Sequence, residues 1–520
     1  MRRSESIARG TAMRLALAAL FCLALLTPMQ VLGARSGDVT TVAGSAIFHM
    51  KGGDPATGDG AFPLVSSTVF DSLVSPTVMQ NYTPSLAKSW KVSPDWKYID
   101  FFLRDDVKFQ NGDPFTAEDI KFSLETYLKR DLRFWLRRLY QKYITRIEIK
   151  GPYQVRLHLS EPWPWIFTNF WYQTGMMPKK YRETVGDEGF ADKPVGTGPF
   201  KWLEYKQDQY FKLGAVDRHF RKTPEIKTLT VRFVPEASTR LAMLKAGEAD
   251  IVELTSPLIP AVKSDPNLKL TFVKHTQGFG LWFCDLAFPN EPSPFLDARV
   301  RQAASLAVDR AAICEKILFG GAEPLKDYLA PITLGYDPKA LTDSYNPEKA
   351  KALMAEAGYA KGFETTIHAM PTGKAWVEAV AAGLSEIGIR PKIEMYELGA
   401  LLMKFKGKNL KGLGFPGIIY WNPDRHPGKD GSNFWTRGQT WCYNSTPAIE
   451  AAVQKAIQAK SDDEIVRYGR EMADQIRDSR IMLPLWSTHV VFGLTPKIKD
   501  WQPVQGVPMG TRYEYLKLAN

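Results

Sequence analysis

The stretch from Gly417 to Tyr443 gathers the groups best able to hold an organic molecule: Tyr420, Trp421, Trp435, Trp441 and Tyr443, with Asp424, Arg425 and His426 between them. Planar rings stack on other rings, on sugars and on cations, and surfaces of this kind are typical of ligand pockets. Trp282 and Trp486, outside this stretch, have the same capacity. Aromatic ligands, oligosaccharides and amphipathic peptides are all compatible with such a set. The same rings also fill cores well, because Trp and Tyr are usually buried.

Bond-making chemistry asks for other arrangements. The chain has no Gly-x-Ser-x-Gly, no His-Glu-x-x-His and no Walker A sequence; Gly373-Lys374 has His368 where the leading glycine belongs and Ala375 where Ser or Thr should follow. Gly196-Thr197-Gly198 lacks the third glycine of a dinucleotide loop. The seven histidines fall at no ligand spacing, and no metal spacing links Cys284, Cys314 and Cys442, each of which sits among apolar neighbours and is expected in the core. No nucleophile, resident metal or cofactor is therefore expected, and the reading is that of a non-enzyme.

The elements that must carry these groups are helices alternating with strands. Thr116 caps a helix whose first turn holds Glu118 and Asp119, Asn346-Pro347-Glu348 opens another that Gly358 stops, and Asp297 opens a third running through Val300, Ala304 and Ala307 towards Ile313. Tyr153 to Leu159 and Thr228 to Val234 alternate as strands do, and Ala249-Asp250-Ile251-Val252 follows a helix that ends at Gly247. Pro and Gly concentrate at Pro194 to Pro199, Pro289 to Pro294 and Gly412 to Gly431, where loops are expected. The mixture predicts an α/β protein with more than one sheet.

The 520 residues are 44% apolar and 24% charged, near globular averages, and long enough for about three folding units or two large lobes. Basic residues are interspersed with acids, which argues against a nucleic-acid surface. The first 34 residues stand apart. Arg2, Arg3, Arg9 and Arg14 precede an unbroken apolar run from Leu15 to Leu26, and Leu32-Gly33-Ala34 offers small-residue cleavage. Twelve apolar residues are too few to span a bilayer that needs ~20, so residues 1–34 read as a cleavable export signal with Arg35 as the mature start.

Six blocks in order resemble the family 5 extracytoplasmic solute-binding proteins, the peptide and nickel group serving ABC transporters. They begin at Tyr82-Thr83-Pro84-Ser85-Leu86-Ala87-Lys88-Ser89-Trp90 with Ser93-Pro94-Asp95-Trp96-Lys97-Tyr98, and run on through Phe102 to Asp119, which contains Phe109-Gln110-Asn111-Gly112-Asp113-Pro114-Phe115-Thr116. Val195-Gly196-Thr197-Gly198-Pro199-Phe200, Leu244-Lys245-Ala246-Gly247-Glu248-Ala249-Asp250, the stretch Asp297 to Ala303 leading to Ala307-Val308-Asp309-Arg310, and Tyr345 to Ala350 with Ala357-Gly358-Tyr359 complete the series.

The resemblance implies a two-lobed periplasmic binding protein of the Venus-flytrap type, large class, with an extra domain inserted in the first lobe. Its expected parts are lobe I (35–81, 193–277 and 487–520), the insert (82–192) and lobe II (278–486). It implies a monomer in the periplasm that binds a small-molecule ligand by lobe closure and delivers it to the permease subunits of an ABC importer, with no nucleic-acid partner. A ligand-sensing role for the same fold and, at a distance, a secreted hydrolase are the competing readings. Two departures from the family bear on the ligand. Cys284 stands where relatives often carry Asn, and Ile419 stands where peptide-binding relatives commonly carry an Asp that pairs with the peptide's amino group. The candidate ligand-binding residues are Trp282, Cys284, Tyr420, Trp421, Asp424, Trp435 and Trp486, and the pocket is expected to suit an aromatic or amphipathic ligand better than a free α-amino group.

Overall fold

The computed structural model describes residues 37–44, 52–56, 62–79, 81–129, 136–341, 343–421, 424–507 and 511–519. The expected export signal and its cleavage site lie outside the described residues. Residues Val39–Asn520 form one compact unit, and the description is of that unit.

An eleven-stranded mixed sheet runs through it. Its order is Ile389–Met395, Phe363–Ala369, Leu413–Trp421, Lys269–Phe283, Met482–Leu494, Ile251–Leu254, Asp38–Ala43, Thr228–Phe233, Tyr210–Ala215 and Phe200–Lys206, with Ala322–Pro324 added beside Met482–Leu494. The two longest strands, Lys269–Phe283 and Met482–Leu494, pair antiparallel from Lys269↔Leu494 to Trp282↔Met482. They join two separate cores. Val273, Phe492 and Leu494 belong to a core drawn mainly from residues 39–231 and 492–516, whereas Leu281, Trp282, Leu483 and Leu485 belong to one drawn from residues 281–486. The register shifts between Val273 and Gln277 and again between Gly278 and Gly280, midway between the cores. His275, at the first irregularity, has φ +55°, a left-handed conformation that disfavours a Cβ. The result is a two-lobed α/β fold whose lobes share a pair of strands.

The four-stranded sheet Ala87–Val92, Tyr98–Leu103, Gln154–Leu159 and Ile144–Gly151 is separate from the large one. Rings pack beneath it. Tyr143 stacks on Trp163 at 4.7 Å, and Phe101 meets Phe170 at 6.0 Å. This packing sets the position of the helix Ile166–Gln173, which carries Thr168.

Most local expectations are realised through the expected groups. The Thr116 N–H donates to Asp119 at the start of Ala117–Leu128, and Asn346 accepts from the Lys349 N–H at the start of Pro347–Glu356. Two expectations are corrected. The helix opened by Asp297 ends at Leu306, and a second one, Arg310–Lys316, begins under its own cap, with Asp309 accepting from the Ala312 N–H. The stretch from Gly412 to Gly431 is not a loop; it holds the strand Leu413–Trp421 and the start of the helix Gly428–Phe434. Glycine there permits close backbone approach, since a Cβ on Gly417 would lie 2.2 Å from the Gly280 carbonyl oxygen.

Candidate functional site

Strand Leu413–Trp421 delivers the ring-rich segment to the seam between the lobes. Where the chain leaves the strand, Asp424, Arg425 and His426 face residues more than 250 positions earlier. The Thr168 hydroxyl donates to the Asp424 carboxylate, and the Tyr82 hydroxyl hydrogen-bonds Thr168 in turn. Arg425 Nη1 donates to Asn81 Oδ1 at 2.9 Å, and the Trp165 ring lies 5.3 Å from the His426 ring. The seam is therefore closed by a hydrogen-bonded relay, a second polar pair and a ring contact.

The second-lobe side is held from behind. Thr333 donates to the Asp424 carbonyl at 2.7 Å, the Leu334 N–H donates to the Arg425 carbonyl at 2.9 Å, and the His426 N–H donates to Asp424 Oδ1 at 2.9 Å. His426 Nε2 lies 3.2 Å from the Ala459 carbonyl, while the Gly428 N–H donates to Nδ1 at 3.1 Å. These partners set the Nε2–H tautomer. Burial pushes the His426 pKa down to about 4, so the ring is neutral at pH 7.

Burial works in the opposite direction on the acids. It pushes Asp424 up to about 6, against the pull of Lys429 and of backbone donors from His426 and Arg425. It pushes Asp430 up to about 7, helped by the charge of Asp424. Asp430 Oδ1 is buried without a hydrogen-bond partner among the described residues.

The seven candidate residues divide. Trp421 is 43% exposed and meets Trp441 edge-on at 6.4 Å. Asp424 is buried in the seam, and Tyr420 is buried beside Ser487, Tyr336 and His275 in a small cavity. The other four pack within the second core. Trp282 and Trp435 lie 5.6 Å apart, and Trp435 Nε1 donates to the Ile419 carbonyl at 3.3 Å. Cys284 is fully buried, with its N–H on the Gly412 carbonyl at 2.8 Å. Trp486 packs edge-on against Trp376 at 5.2 Å. All three described cysteines are free and buried. Ile419 is buried too, so its position carries neither a carboxylate nor an exposed surface.

Sequence reasoning did not single out Tyr82 for the seam, although it opens the first family block, nor Thr168 and Trp165, on and just before the helix Ile166–Gln173. Their only visible signal is the aromatic density of Trp163 to Trp171. Asp430 was also missed, because nothing in its local pattern foretells burial.

Two cores joined by shared strands, with a polar contact where the lobes meet, define the class of two-lobed binding proteins. Comparison with known proteins specifies the family. The profile described as "Bacterial extracellular solute-binding proteins, family 5 Middle" matches residues 81–440. Di/tripeptide-binding protein 1 of Pseudomonas aeruginosa is 30% identical over 452 residues, covering 77% of this chain and 81% of that protein. Heme-binding protein A of Haemophilus influenzae is 27% identical over 459 residues, covering 80% and 81%. The structure of HbpA2 from Haemophilus parasuis aligns with a TM-score of 0.80 at 22% identity, over 93% of this chain and 100% of that one, a likeness of fold. The chain belongs to the family 5 bacterial extracellular solute-binding proteins.

Proposed function

We propose that this protein is a periplasmic receptor that closes its lobes on a small organic ligand and delivers it, as a monomer and without catalysing a reaction, to the permease subunits of an inner-membrane ABC importer. The observation that carries this reading is the relay from Tyr82 through Thr168 to Asp424, which ties the insert to the second lobe. Contacts made only when the lobes meet are what a closing receptor needs, because a ligand shifts the equilibrium by the difference in its affinity for the two states. The lobe boundaries suggested by the family order, 35–81 with 193–277 and 487–520 against 278–486, are supported by the separate cores. The register breaks between Val273 and Gly280 are the proposed hinge.

In this reading Trp421 and Asp424 face the ligand, and Tyr420 supports them from beneath. Trp435 holds the strand through the Ile419 carbonyl, while Trp282, Cys284 and Trp486 form the wall behind. The names of two relatives bracket the chemistry, haem at one end and di- and tripeptides at the other. Native mass spectrometry of freshly purified protein tests the proposal. An organic mass bound one to one, and lost in Trp421→Ala, is the expected result. A bare chain that also ignores a panel of peptides, aromatic acids and oligosaccharides in calorimetry would contradict it.

A further inference from the structure

We propose that the second lobe carries an anion site of its own, away from the cleft, in which Arg301, Arg477 and Arg480 hold a small oxyanion of the phosphate or sulfate type. A cavity of about 180 Å³ lies where the helices Ala298–Leu306 and Asp462–Ser479 meet the start of the strand Met482–Leu494; its lining includes these three arginines with Ser305, Tyr328 and the two carboxylates of Asp343 and Asp478, each paired with one of the arginines. One water fills ~30 Å³ of liquid, so the space admits an oxyanion together with some of its hydration.

The charges around it do not balance by hydrogen bonding. The Arg301 guanidinium donates only to neutral carbonyls, those of Phe295 at 2.8 Å, Leu296 at 3.0 Å, Ser479 at 3.2 Å and Arg480 at 2.9 Å. Behind Ser305, the fully buried Arg310 likewise donates to the carbonyls of Pro484 at 2.7 Å and Ser305 at 3.0 Å and to Ser305 Oγ at 2.9 Å. Burial draws its pKa down to about 10, which leaves it charged at pH 7. Carbonyls satisfy the donors of a guanidinium but supply no counter-charge, and the like charge of Arg480 acts on Arg301 as well.

The remaining two arginines supply the fork. Arg480 spends Nη1 on Asp343 at 2.5 Å, and Arg477 spends Nη1 on Asp474 at 2.6 Å and Nε on Asp478 at 2.8 Å. Nη2 of each has no hydrogen-bond partner among the described residues. Arg480 is set at the helix end with φ +49°, a conformation a non-glycine residue keeps only where its surroundings hold it there. Planar forks of this kind match the oxygens of a tetrahedral oxyanion. A bound anion would tie both helices to the strand that continues to Trp486 and Ser487, and so stiffen the second lobe.

The test uses the whole mature protein, titrated with inorganic phosphate and with sulfate at ionic strength held constant by chloride. Calorimetry should show one saturable site, and the unfolding temperature should rise to a plateau. Arg480→Gln and Arg477→Gln should each weaken binding at least tenfold, while Arg390→Gln, on an exposed side chain elsewhere in the lobe, should leave it unchanged. Arg477 is about one-third exposed, so Arg477→Gln decides the matter even where Arg480→Gln fails to fold. The proposal is overturned by no saturable heat in the wild type, by wild-type affinity in Arg477→Gln, or by an unfolding temperature that follows salt equally in wild type and variants.

Discussion

Thr168 donates a hydrogen bond to Asp424 from 256 positions away in the chain, so a hydroxyl on the helix Ile166–Gln173 completes the solvation of a carboxyl group just beyond the strand Leu413–Trp421. Opening the seam would return that carboxyl to water. Its buried value of about 6 stands above the ordinary carboxylate value of 3.8, so the closed form takes up protons that an open form does not hold. The sign follows by linkage: for an acid raised in the closed state, closure is favoured most below pH ~4, is weakened as the pH rises, and loses that contribution above the raised value of about 6.

The ligand-free protein should therefore be more closed at pH 5 than at pH 7.5. In Asp424→Asn, which keeps an acceptor for Thr168 and removes the buried charge, that dependence should shrink, and stability at pH 7.5 should rise by ~1–3 kcal/mol. Small-angle scattering of the ligand-free protein at the two pH values reads the first quantity, and denaturant unfolding reads the second. A variant with unchanged pH dependence and unchanged stability would contradict the assignment.

Trp421 and Trp435 should respond oppositely to the same truncation. Trp421 is 43% exposed, so Trp421→Ala should alter stability by no more than ~0.5 kcal/mol while weakening the ligand at least ~10-fold through loss of a stacking surface. Trp435 is fully buried, and Trp435→Ala should cost ~3–5 kcal/mol of stability. Equal stability losses in the two variants would refute this division.

The free thiols give a chemical check on the core. Burial pushes Cys314 and Cys442 up to about 12 and raises Cys284 as well, and all three are buried. Native protein lacking residues 1–34 should release no colour from a thiol reagent within minutes, and unfolded protein should react at three sites, with or without prior reductant. Two missing equivalents before reduction would reveal a disulfide.

Gly278 sits at the proposed hinge against the Tyr420 ring, where an added Cβ would lie 2.7 Å from a ring carbon. Gly278→Ala should cost ~1–3 kcal/mol through displacement of that ring. It should also change ligand affinity, since Tyr420 leads directly into Trp421. A variant of wild-type stability and affinity would show that the ring yields freely.

Much of the scaffold was legible because its signals are local. Asn346 with Pro347, Thr116 with Asp119, and the alternation from Gln154 to Leu159 each bring cap or pattern and element together within a few residues. The glycines from Gly412 to Gly431 misled for the same reason: locally they read as loop, yet Gly417 serves a close strand approach that only the pairing with Gly280 explains. The seam was the least legible part. Asp424 was a candidate through the rings around it, but Thr168 and Tyr82 join it through the closing of two distant segments, which no periodicity encodes. Trp282, Cys284, Trp435 and Trp486 show the converse, since residue type alone does not separate a ring in a wall from a ring at a surface.

The central claim is that the lobes close on a ligand through contacts that exist only in the closed state. Small-angle scattering from one preparation, measured with its co-purified ligand and again after unfolding, dialysis and refolding, tests it most directly, with native mass spectrometry confirming that ligand is present only in the first sample. The account predicts a larger radius of gyration without ligand and recovery of the smaller one when ligand is returned. Identical radii in the bound and empty states would contradict it.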